Sequence, residues 1–235
     1  MRRMRELIRA ASDAYPHDDF FASMDETLKA SSQARAFYRA YDRALSYLDQ
    51  HSWTELSRKA VAHFLDHREG QLKQGFFNQL NDAFAYQFLV RRGCSRVSVL
   101  REGKKSTPDI EYFVGNSRYY CEVKTIGISQ DEIIRRESES TFDGSVYQEL
   151  STLFLNKLGS TLLLAHRQIS SQGANGLVFV VAHFDDFTMS YYDRYREQLA
   201  DFLHKHEVSD VYVKVGLIGD KRIGKGPLAC ASKDT

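Results

Sequence analysis

The sequence predicts an α/β protein, a mixed central sheet flanked by helices, with an all-helical subdomain at its N-terminus. Three observations predict it. Residues 1–70 carry apolar stripes at helical spacing and few glycines or strand-like runs. Residues 107–125 form two alternating runs on either side of Gly115-Asn116-Ser117, the pattern of two strands joined by a turn. Leu177–Ala182 is a continuous apolar run, as expected of a strand buried on both faces, and it lies between two segments of helical periodicity.

The elements follow in order. A first helix carries Leu7 and Ile8 and should end before Pro16, which cannot continue it. A short helix is expected over Phe20–Leu28. Ala34, Phe37, Tyr38, Tyr41, Leu45 and Leu48 mark the next, and this aromatic stripe reads as core rather than a base-stacking platform. Ser52 with Glu55 has capping-box spacing and predicts a helix running through Phe64 and Leu65. Phe76, Phe77, Leu80, Phe84, Phe88 and Leu89 predict a helix closed by Gly93. After the two strands, Val146–Ile169 reads as a helix with Leu150, Leu153, Phe154, Leu158 and Leu162 on one face. The apolar strand, a helix over Tyr191–His204 and a strand over Val211–Ile218 complete the order. The expected divisions are a helical subdomain over 1–70, a core over 71–220 and a flexible tail over 221–235.

Composition bounds the function. A chain of 235 residues suits one α/β domain with a helical extension, and an apolar fraction of 43% allows a sizeable core. A net charge of +1 excludes a globally basic nucleic-acid binder, so any such affinity must come from local patches. Cys94, Cys121 and Cys230 are too widely spaced for a metal knuckle and odd in number, which argues against a disulfide framework and for a reducing, cytoplasmic setting. No apolar run approaches membrane-spanning length, and the basic start Met1-Arg2-Arg3-Met4-Arg5 lacks the apolar core of a signal peptide. His63 and His67 have the spacing of a helical zinc pair but lack a third ligand, so no zinc site is expected. Gly224-Lys225-Gly226 is too short for a phosphate loop.

The residues that carry chemistry are Asp109, following Pro108, and Glu122 and Lys124 in Glu122-Val123-Lys124. Side chains alternate along a strand, so Glu122 and Lys124 share a face and Cys121 and Val123 take the other. A hairpin would bring Asp109 beside that pair. Two adjacent carboxylates repel, and a divalent cation removes the repulsion. Magnesium prefers oxygen ligands and often takes only one or two carboxylates with water and phosphate oxygens, and a metal so held activates water. A neighbouring lysine can orient that water or stabilise charge in the transition state. The competing reading is a solvated hairpin face with cross-strand ion pairs.

These residues resemble the PD-(D/E)xK nuclease superfamily, the restriction-endonuclease-like fold. Pro108, Asp109, Glu122 and Lys124 carry the motif, and the element order over residues 71–220 matches as well. The resemblance implies a metal-dependent nuclease, with DNA preferred to RNA as the substrate and the choice between them left open by the sequence, and with Mg²⁺ or Mn²⁺ held by Asp109, Glu122 and the backbone carbonyl of Val123. Family members commonly place an acid on the preceding helix. Here that position is Asp82, where Glu is more usual, and it is an additional candidate ligand. Lys157 and Gln168 look like the family's accessory polar residues, and Glu111 is a weaker candidate on the Asp109 face. The alternative is a catalytically silent module of the same fold that binds nucleic acid or a protein.

Two basic concentrations are candidate phosphate contacts. Arg91, Arg92, Arg96, Arg101, Lys104 and Lys105 precede Pro108-Asp109, with only Glu102 opposing them. Arg135 and Arg136 lie in the polar segment Gly127–Ser145, long enough to be a functional loop, a solvated loop or a short helix. A homodimer or protein contact through the helical N-terminus is the other partner class, and no membrane partner is expected.

Overall fold

Four helices open the chain. They are α1 (Arg2–Ala14), α2 (Met24–Ala30), α3 (Ser32–Leu45) and α4 (Gln50–Ala62). The computed structural model describes residues 1–67, 72–103, 107–127, 133–134, 138, 144–173, 175–182, 188–206, 210–217 and 222–224. α1 ends just ahead of Pro16. α2 starts later than expected, because the turn residues Phe20 and Phe21 pack as an aromatic pair before the helix begins. Asp49, not Ser52, caps α4, its carboxylate accepting the Ser52 amide at 2.7 Å. Ser52 is fully buried, and its hydroxyl accepts the Val99 amide at 3.0 Å, which ties α4 to the sheet.

The long helix α5 (Gln74–Arg91) is buried along most of its length. It closes as expected. Gly93 takes φ +80°, its amide reaches Val90 O at 3.0 Å, and the Cys94 amide reaches Leu89 O at 3.1 Å, a Schellman stop. Strands β1 (Ser95–Val99), β2 (Ile110–Val114) and β3 (Ser117–Ile126) form an antiparallel meander. Helix α6 (Thr152–Ser170) returns the chain to β4 (Gly176–Ala182), and α7 (Tyr192–Lys205) returns it to β5 (Val211–Val215). β3, β4 and β5 are parallel, and the two-residue β6 (Arg222–Ile223) pairs antiparallel with β5. The sheet order is β1-β2-β3-β4-β5-β6. The protein is therefore a mixed α/β protein in which the expected core elements occur in the anticipated order, with β1 and β6 added at the two edges of the sheet.

α6 begins later than the apolar pattern predicts. Ser151 caps it by accepting the Phe154 amide at 3.2 Å, and Leu150 lies before the cap with its amide held by Gln198. The buried stripe is Leu158, Leu162, Ala165 and Ile169, whereas Leu153 is 71% exposed. β5 ends at Val215, short of the expected Ile218, because Gly216 turns out of the strand at φ +68°; Ile218 lies outside the described residues, as do Cys230 and all of the tail except 222–224.

Two hydrophobic clusters sandwich the sheet. One joins α1, α3, α4 and α5 to Val97, Val99, Ile110, Tyr112, Cys121, Val123 and Phe179. The other joins α6 and α7 to Tyr120, Ile126, Val178, Val180 and Val213. The N-terminal helices thus share a core with α5 and the sheet. Gly176 is required where β4 starts, since a Cβ there would lie 2.0 Å from Tyr120 O. Among the described residues no helix is long and apolar enough to cross a membrane.

Candidate functional site

The β2–β3 ladder ends at the pair Ile110–Cys121. Asp109 lies one residue outside β2, where strand alternation no longer dictates its direction, and the Val123 amide beyond the ladder is left for another acceptor. Asp109 Oδ2 accepts it at 2.9 Å. The sequence separation of Pro108-Asp109 from Glu122-Val123-Lys124 thus becomes direct contact at the end of a strand.

Asp109 stands between two polar groups on opposite faces of the sheet. On the face covered by α4 and α5, Lys59 Nζ donates to Asp109 Oδ1 and to Asp82 Oδ2, both at 3.0 Å, and lies 3.7 Å from Glu102 Oε1. Lys59 and Asp82 are almost fully buried. Next to Asp82 on α5, Asn81 donates to Thr125 Oγ1 at 2.7 Å and accepts from the Tyr41 hydroxyl at 3.2 Å. On the face shared with Tyr120 and Ile126, Glu122 is 2% exposed and Lys124 is half-buried. Lys124 Nζ donates to Glu122 Oε1 at 2.5 Å. Glu122 Oε2 is buried with no hydrogen-bond partner among the described residues.

Two ammonium groups therefore face four carboxylates, and the surplus negative charge perturbs the cluster. Burial, reinforced by the nearby Asp109 charge, pushes the Glu122 carboxyl up to about 8, although Lys124 pulls it down. Burial pushes Asp82 up to about 7, with Lys59 opposing and Asp109 adding to the rise. Burial disfavours the Lys59 charge, but Asp82 and Asp109 outweigh it and hold the ammonium well above its usual range. Lys59 stays charged, and near neutrality Asp82 and Glu122 retain protons that exposed carboxylates would have lost. Burial also raises the thiol of Cys121 on the opposite face of β3.

Lys59 is the member that motif reasoning misses. Its one signal is position: Leu56, Lys59, Ala60 and Phe64 follow helical spacing, and all four are buried, which sets a lysine on an apolar stripe.

The remaining candidates separate. Gln168 donates to Thr107 O at 2.7 Å and so braces the segment entering Pro108-Asp109. Glu111 is turned to Arg118, 3.7 Å away, across the hairpin rather than to the cluster, because it lies within the regular β2–β3 ladder. Lys157 is exposed, about 16 Å along α6 from Gln168 at the helical rise. Arg91 and Arg92 are exposed at the end of α5, about 14 Å along the helix from Asp82. Arg92 lies over the rings of Phe88 and Tyr212, and Arg96 over Phe113. Arg101 is exposed beside Glu102. Lys104, Lys105, Arg135 and Arg136 lie outside the described residues. α4 ends before His63, which pairs with Asp66 at 2.6 Å while His67 bonds Leu65 O at 2.8 Å, so the two histidines do not form a helical pair.

Among the described residues no three His, Cys, Asp or Glu side chains form a ready metal cage. The carboxylates that could hold a hard cation are Asp109, whose two oxygens accept from Lys59 and the Val123 amide, and Glu122, whose buried Oε2 has no hydrogen-bond partner among the described residues. No protein-family model, no curated protein and no solved structure matches this chain.

Proposed function

We propose that the protein is a metal-dependent nuclease of the restriction-endonuclease-like fold that hydrolyses phosphodiester bonds, preferentially in DNA. The observation that carries the reading is the buried Glu122 carboxylate, with one oxygen on Lys124 and the other without a partner, beside Asp109 at the open end of a strand. A buried, unsatisfied carboxylate oxygen is costly unless it is protonated or bound by a cation.

In this reading Asp109, Glu122 and the Val123 carbonyl hold one Mg²⁺ or Mn²⁺, which supplies Lewis-acid stabilisation of the charge developing on phosphorus. Asp109 is oriented by the Val123 amide on one oxygen and by Lys59 on the other. Lys124 is held by Glu122 yet keeps solvent access, so its ammonium can orient the attacking water and stabilise negative charge that develops in the transition state. Asp82, engaged with Lys59, supports the site through that lysine. Gln168 fixes the Thr107 carbonyl and hence the approach to Asp109.

A second reading, a module that binds nucleic acid or a protein without cutting, is favoured by one observation. Lys59 satisfies Asp82 and Asp109 without any metal. Incubation with single-stranded DNA, duplex DNA and RNA in Mg²⁺, Mn²⁺ or chelator separates the two. The nuclease reading expects cleavage only with metal, a loss of about 10²–10⁴-fold in Lys124→Ala, and loss of both Mn²⁺ binding and cleavage in Asp109→Ala and Glu122→Ala. Undiminished cleavage in all three variants excludes this site, and no cleavage of any substrate together with no Mn²⁺ binding favours the module.

A further inference from the structure

The half of the site facing the helices already holds a cation of the protein's own. The Lys59 ammonium is ringed by Asp82 Oδ2 and Asp109 Oδ1 at 3.0 Å each and by Glu102 Oε1 at 3.7 Å. Carboxylate oxygens from α5 (Asp82) and from the β1–β2 connection (Glu102 and Asp109) lie around one point, the kind of ligand a hard divalent ion prefers. Here the point is taken by a side chain that cannot diffuse away.

We propose that Lys59 fills the position a second metal ion would otherwise take, so that the site accepts a single divalent cation, on the Glu122 side of Asp109. The identity of that ion rests on the nuclease reading; the number of ions, and the residue that sets it, are new. The stem of Lys59 packs in the same buried stripe as Leu56 and Ala60, so its head is directed at the two aspartates. A divalent ion sharing those oxygens would sit within a few ångströms of a buried ammonium, where like charges repel with little screening. Asp109 divides its carboxylate accordingly, one oxygen on Lys59 and the other on the Val123 amide beside Glu122. Lys59 is thus a positioning residue. It orients Asp109 and keeps Asp82 from recruiting metal, without touching the reacting atoms.

The test counts ions on the full chain without nucleic acid. Mn²⁺ is titrated calorimetrically into the wild type, Lys59→Met and Lys59→Arg, with free Mn²⁺ read by electron paramagnetic resonance. One ion is expected in the wild type and in Lys59→Arg, and one more in Lys59→Met. Two ions in the wild type, an extra ion in Lys59→Arg, or equal numbers in wild type and Lys59→Met overturn the proposal. One ion in both wild type and Lys59→Met leaves the nuclease reading standing while this proposal falls. None in the wild type and one in Lys59→Met removes the nuclease reading and the single-ion count with it, while Lys59 still stands as the occupant of a metal position. If Lys59→Met is unfolded in chelator, circular dichroism replaces calorimetry: Mn²⁺ should restore the helical signal, and failure at millimolar Mn²⁺ overturns the proposal.

Discussion

Asp109 separates two acid–lysine pairs that look alike in composition and differ in the exposure of the lysine and the completeness of the acid's hydrogen bonding. In the helix-side pair, Lys59 and Asp82 are 1% and 5% exposed at their side chains, and the ammonium is shared with a second aspartate. In the strand-side pair, Glu122 is equally buried, but Lys124 is 31% exposed and one Glu122 oxygen has no partner. The first pair is closed and electrostatically complete. The second is open on the lysine side and incomplete on the acid side. A complete pair holds structure together, whereas an incomplete one stores a demand for a proton or a cation. On the proposed nuclease reading, chemistry falls to Glu122 and Lys124 and support to Lys59 and Asp82, although both pairs use the same functional groups.

The difference breaks most visibly when each lysine is removed. Lys59→Met leaves the buried Asp82 and the half-buried Asp109 without their cation and should cost about 3–5 kcal/mol of folding stability, the usual penalty for orphaning a buried ion. Lys124→Met removes a partner that is partly solvated, and Glu122 can answer by keeping its proton, so the cost should be about 1 kcal/mol or less. Urea denaturation in chelator measures both. Equal losses would erase the distinction between a closed and an open pair.

The next effect is a pH dependence. The Glu122 carboxyl titrates near 4.5 in the unfolded chain and is pushed up to about 8 in the fold. Between those values the folded state holds a proton that the unfolded state has released. Metal-free stability should therefore fall as pH rises through this window, by up to about 1.4 kcal/mol per pH unit for one such group. Asp82, pushed up to about 7, adds the same sign below that point. Glu122→Gln should flatten the slope, and Mn²⁺ should restore stability most at the alkaline end, where the ion replaces the proton. Thermal melts across the window, with and without Mn²⁺, check this. A rising metal-free slope would mean that Glu122 is ionised and satisfied in the fold.

The strand-side pair was legible in the sequence and the helix-side pair was not, for a physical reason. Glu122-Val123-Lys124 lies on a strand whose period of two assigns faces directly, and Pro108-Asp109 lies just across a turn marked by Gly115-Asn116-Ser117. The order of core elements was readable from pattern as well, because Leu177–Ala182 is an apolar run of strand length and Phe76, Leu80, Phe84 and Phe88 recur every four residues. Lys59 is one lysine in a helix rich in charge, and its burial depends on how α4 docks against α5, a contact 23 residues away in the chain from Asp82. Short-range reasoning also misassigned Ser52 as a cap, since Asp49 and Ser52 are both capping residues and only the docking of β1 decides which hydroxyl or carboxylate is free. The start of α6 failed similarly: the apolar residues Val146 and Leu150 extended the pattern past Ser151, where the backbone turns.

A smaller effect tests whether the closed half is a connected network. Asn81 neighbours Asp82 and bridges the Tyr41 hydroxyl to Thr125 Oγ1. Asn81→Ala leaves a fully buried tyrosine hydroxyl without its acceptor, for a loss of about 1–3 kcal/mol. Because Asn81 touches neither Glu122 nor Lys124, Mn²⁺ affinity should change little once the protein is folded. A large loss of affinity would mean that the two halves are mechanically coupled through Thr125 and β3.

The smallest expected effect supplies the reference for the others. Glu111 and Arg118 face each other across the β2–β3 hairpin at 3.7 Å, with Arg118 56% exposed. This is the solvated ion pair that short-range reading of the hairpin would expect everywhere along it. A double-mutant cycle with Glu111→Ala and Arg118→Ala should return a coupling of about 0.2–1 kcal/mol that shrinks with added salt, because water screens both groups. The corresponding cycle with Lys59→Met and Asp82→Asn should return a larger coupling that resists salt, because neither group meets solvent. If the hairpin pair matched the buried one in size and salt response, burial would not be what distinguishes the acid–lysine pairs of this protein, and the assignment of support to Lys59 and chemistry to Lys124 would lose its physical basis.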